Sequence, residues 1–69
     1  MKTADALAQL PQKNRKYLET LKADLKKIEA YHDTVMWKEY RAVARGYIKG
    51  LVDSGVIDDF KPIWIWFNS

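Results

Sequence analysis

Lys38, Arg41, Arg45 and Lys49 recur at intervals of three and four residues, with no carboxylate in their stripe. On a helix they share a sector of about 80°. Such a row of cations can follow phosphates or sit in an acidic protein groove. The same spacing also describes the solvated face that an amphipathic helix carries opposite its apolar one. Ala42, Gly46 and Gly50 form a second pattern on this stretch, small residues four apart. Each glycine costs a helix about 1 kcal/mol relative to alanine, so the pair points to a ring or a backbone packed close to that edge.

Other chemistry is sparse. His32 is the single histidine, and neither Glu29 nor Asp33 stands at a metal-ligand spacing from it; it reads as a half-buried residue at a helix end. The run DSGVIDD lacks the alternation of oxygen ligands that a calcium loop needs. No glycine-rich phosphate loop occurs, and no nucleophile has a plausible base. The expectation is a protein with no catalytic residues, no metal and no cofactor. A helix, Gly55 and a second helix outline a DNA-binding helix-turn-helix, but the segment in the recognition position, DDFKPIWIWFNS, opens on two carboxylates that repel phosphate.

The elements that must carry these residues are helical. Leu18, Leu21, Leu25 and Ile28 recur every three or four residues, which predicts an amphipathic helix from Gln12 to about His32. Before it, Thr3 can cap a short turn carrying Leu7 and Leu10, ended by Pro11. A second pattern runs from about Val35 to Asp53, with Met36, Tyr40, Val43, Ala44, Tyr47 and Leu51 on one face and Trp37 and Ile48 widening it. The apolar phase slips between the two stretches, which predicts a break near His32 to Thr34 with Asp33 or Thr34 as the new cap. One continuous coiled-coil helix is the competing arrangement. Gly55 is placed to end the second helix in the left-handed conformation, with Asp58 or Asp59 as the cap of a further short helix.

The final KPIWIWFNS is either a short aromatic helix or an extended tail. With no second strand pattern in the chain, the expectation is all-α: a helical hairpin or three-helix bundle, residues 1–69 forming a single small domain. Part of the tail is expected to pack over Tyr40, Tyr47 and the Gly46–Gly50 edge, leaving at least one tryptophan for a second chain, most simply another copy.

Composition sets the remaining bounds. A chain of 69 residues buries only about 60% of the surface it exposes when unfolded, so self-association is a natural supplement to its stability. There is no cysteine to staple the core. The N-terminal stretch has no apolar run resembling a signal peptide, and no window approaches a membrane span, so a cytoplasmic location without membrane contact is expected. The net charge of +3 is a mild excess, concentrated at Lys13, Arg15, Lys16, Lys22, Lys26 and Lys27, with an acidic corner at Asp53, Asp58 and Asp59.

At ARGYIKGLVDSGVIDDF and the aromatic residues after it, the sequence resembles small helical proteins encoded by bacterial phages and integrative elements. That resemblance covers the C-terminal half and implies a compact accessory protein of a class in which inhibitors of host defence and modulators of host enzymes are common. It implies no enzymatic activity.

The excess of aromatic and basic residues over what so small a core absorbs points to a protein-interaction module, since these types dominate interface hot spots. Trp37, Tyr40, Tyr47, Trp64, Trp66 and Phe67 are the candidate contact residues, for a foreign protein or a homo-oligomer. The alternative is a small nucleic-acid-binding protein that uses the Lys38, Arg41, Arg45 and Lys49 stripe.

Overall fold

In a computed structural model, residues 3–69 are described, and the side chains of residues 3 and 4 are not. The capping role expected of the Thr3 side chain therefore lies outside the described residues. Among the described residues there are four helices and no strand: α1 Thr3–Gln9, α2 Gln12–Ala30, α3 Thr34–Asp53 and α4 Phe60–Phe67. The fold is a small all-α bundle.

The break between α2 and α3 is real and has a defined shape. The Asp33 amide donates to the Ile28 carbonyl and the His32 amide to the Glu29 carbonyl, the paired bonds of a Schellman stop. The residue at its left-handed position is His32, with φ of 57°. Asp33 then caps α3, its carboxylate accepting from the Met36 amide at 3.0 Å. His32 is thus exposed rather than half-buried, because the left-handed turn swings it off the apolar stripe of α2.

The stop of α3 repeats the same geometry with the expected residue. Gly55 has φ of 78°, and the Val56 and Gly55 amides return to the Leu51 and Val52 carbonyls. Asp59 caps α4 by accepting from the Lys61 amide, and Pro62 falls in the first turn, where its missing N–H is no loss. The tail is a helix, not an extended strand.

The core joins Leu18, Leu21 and Leu25 of α2, Ala44, Ile48 and Leu51 of α3, Ile57 of the connection, and Ile63 and Phe67 of α4. Ala6 and Leu10 complete it from the N-terminal segment, where α1 packs mainly on α4. That packing explains how a small hairpin covers so aromatic a tail: the N-terminal segment supplies a second wall. The buried face of α3 centres on Ala44 and Ile48, about 60° round from the face expected around Tyr40 and Tyr47. Met36 and Val43 consequently stand 43% and 52% exposed.

Candidate functional site

α4 carries a stack of rings across the bundle. The Phe60 and Trp64 centroids lie 5.7 Å apart and those of Trp64 and Phe67 5.9 Å apart, in near-parallel planes. Phe67 and Ile63 point inward and are buried, while Trp64 and Trp66 are half-buried. Helical spacing dictates this division, since residues 63 and 67 are one turn apart and share a side.

Arg41 of α3 reaches into this stack. Its guanidinium carbon sits 4.6 Å from the Trp37 ring centroid and 5.3 Å from that of Trp64, and its Nε donates to Asn68 Oδ1 at 3.0 Å. A cation held between two rings and a side-chain oxygen joins α3 to α4. Trp37 is itself fixed by its indole N–H, which donates to Glu29 Oε1 at 2.8 Å. Lys22 ties the other flank: its Nζ lies 5.3 Å from the Trp66 ring centroid and donates to the Trp66 and Ser69 main-chain oxygens. Burial, with Lys26 nearby, holds the Lys22 ammonium below the usual lysine pKa.

The basic stripe is therefore divided. Arg41 is half-buried and committed to tryptophans, whereas Lys38, Arg45 and Lys49 stand exposed on α3. Arg41, Ala42, Arg45, Gly46, Lys49 and Trp64 line an open groove of about 480 Å³ between α3 and α4. Its wall is an indole and its rim is cationic. Sequence periodicity identified the stripe, but Trp64 beside it follows only from how α4 docks.

The remaining candidate residues fall elsewhere. Tyr47 packs against Tyr17 of α2, with ring centroids 4.7 Å apart, and its hydroxyl accepts from Asn14 Nδ2. Tyr40 is half-buried at the same edge of α3. The tail does not cover the glycine edge: among the described residues, nothing beyond the flanking residues and the backbone of α3 lies within 4 Å of where a Cβ on Gly46 or Gly50 would stand. The expectation that a ring or backbone of this chain packs there is wrong, because the rotation of α3 turns that edge to solvent.

Among the described residues no cluster of His, Asp or Glu is placed to hold a metal ion, and no helix is long and apolar enough to cross a membrane. No family model, no curated protein and no solved structure matches this chain.

Proposed function

We propose that this chain is a non-enzymatic protein-interaction module that captures an acidic segment of another protein in the groove between α3 and α4. The observation that carries this reading is the pairing of an indole wall at Trp64 with the exposed cations Arg45 and Lys49. An apolar side chain of the partner would lie against Trp64, and flanking carboxylates would meet the two cations, Arg45 in bidentate fashion. Arg41 contributes by holding Trp64 in place. The resemblance of the C-terminal half to phage and mobile-element proteins extends the proposal to an accessory protein that modulates or inhibits a host protein.

Nucleic-acid binding through the same stripe is the second reading, supported by the exposure of Lys38, Arg45 and Lys49 along one helix. It is weakened because Arg41 is already occupied. The two readings part in an affinity capture from native lysate with the parent and an Arg45→Gln, Lys49→Gln variant, alongside titration with duplex and single-stranded oligonucleotides. A protein retained by the parent and lost by the variant is expected. Retention of nucleic acid alone, weakening steeply with salt, would overturn the leading reading.

A further inference from the structure

α1 and α4 cover one side of the α2–α3 hairpin, and the opposite side is open. Lys22, which binds α4, and Tyr17, which does not, lie on different flanks of α2 by helical spacing. The open side presents Tyr17 and Ile28 of α2 with Met36, Tyr40, Val43 and Tyr47 of α3, of which Tyr17, Met36 and Val43 are among the large exposed apolar residues of the molecule. On α3 these residues and Gly50 follow a four-three-four-three spacing, the seam of a helix packed lengthwise against another.

The charges at the two edges of this face say what fits it. Tyr17 beside Tyr47 and Glu29 bonded to Trp37 fix the register of the hairpin. That register sets Lys13 level with Asp53 and Lys27 level with Glu39. Helical spacing puts both lysines at the outer edge of α2 and both carboxylates at the outer edge of α3, and among the described residues neither pair forms an ion pair within the chain. We infer that this face binds a second copy of the same chain, related by a two-fold axis parallel to the helices, so that α2 of each copy packs on α3 of the other.

In that arrangement Lys13 meets Asp53 and Lys27 meets Glu39 of the second copy, each pair formed twice. The Tyr17 ring of each copy lies over the bare Gly46–Gly50 edge of the other, where, among the described residues, nothing of its own chain beyond the flanking residues and the α3 backbone stands within 4 Å. Asp24, the carboxylate within the face, comes level with the second copy's Tyr40, a hydroxyl donor. Lys16 and Lys49 come level at the rim of the contact, about 20° and 40° further round than Lys27 and Asp53, where solvent screens the two like charges. The alternative two-fold, across the helices, would set α3 on α3 and bring like carboxylates together. The molecule's principal extents are 34 × 20 × 20 Å, so the outline of one whole side, of which this face is a part, is on the order of the ~800 Å² per partner that stable complexes bury. The contact is isologous and closes on itself, which favours a dimer over a fibre.

This face borders the groove at Trp64 along Gly46, while the indole and the cations Arg41, Arg45 and Lys49 of that groove lie further round α3. Sedimentation of the full chain over a concentration series tests the pairing. A dimer is expected, with Val43→Glu reducing the mass to that of a monomer while thermal unfolding at matched monomer concentration stays cooperative. Lys27→Glu should weaken association about tenfold, and adding Glu39→Lys should restore it. A parent that stays monomeric at the highest concentration, or a dimer indifferent to both Val43→Glu and Lys27→Glu, overturns the inference. Arg45→Gln should leave the mass unchanged, which separates this result from failure of the groove.

Discussion

Replacing Arg41 by alanine removes a guanidinium from between Trp37 and Trp64 and leaves Asn68 without its donor. Each cation–π contact at such a half-exposed site contributes about 0.5–1 kcal/mol, and the hydrogen bond about as much. Arg41→Ala should therefore destabilise by roughly 1–3 kcal/mol, a fall of some 4–8 °C in Tm per kcal/mol for a domain of this size. Lys49 stands exposed on the same helix, so Lys49→Ala should stay within about 0.5 kcal/mol. Thermal unfolding of both variants checks the contrast, and equal stability for the two would show that Arg41 is not a structural cation. At this scale the sequence was only partly legible. Periodicity placed Arg41 on a basic stripe, but what it touches is decided by α4, which has no fixed sequence distance from α3. His32 shows the same limit: a left-handed stop without glycine carries little local signal.

At the scale of elements, caps and stops were readable because their chemistry is local. Asp33, Gly55 and Asp59 act within three or five residues of where they stand. The rotation of α3 was not readable, since its aromatic edge and its aliphatic edge both qualify as apolar faces. Packing chose Ala44 and Ile48 because their small and branched side chains let α2 and α4 approach together, and left the larger tyrosines at the margin. The same packing accounts for the aromatic tail: Phe67 and Ile63 close the core, and α1 shields them. Phe67→Ala should cost about 3–5 kcal/mol, comparable with the whole stability of a domain this small. Circular dichroism should then show loss of a cooperative transition at room temperature. A variant whose Tm moved by only a few degrees would mean that α4 docks independently of its buried ring.

For the whole molecule, the surface of α3 divides among three tasks. One sector builds the core, one lines the groove with Trp64, and one is the face we propose for a second copy. A dimer of this kind would carry two such grooves on its outside, able to hold two acidic segments of one partner at once and so to bind more tightly than either alone. The most direct measurement of the proposed capture is site-specific photo-cross-linking in cells, with the photoreactive residue in place of Ala42, which lines the groove without contributing a charge. A discrete adduct with a different protein is expected, lost when Arg45→Gln and Trp64→Ala are added. An adduct only with nucleic acid, or none beyond the chain itself, would contradict the capture of an acidic protein segment at Trp64.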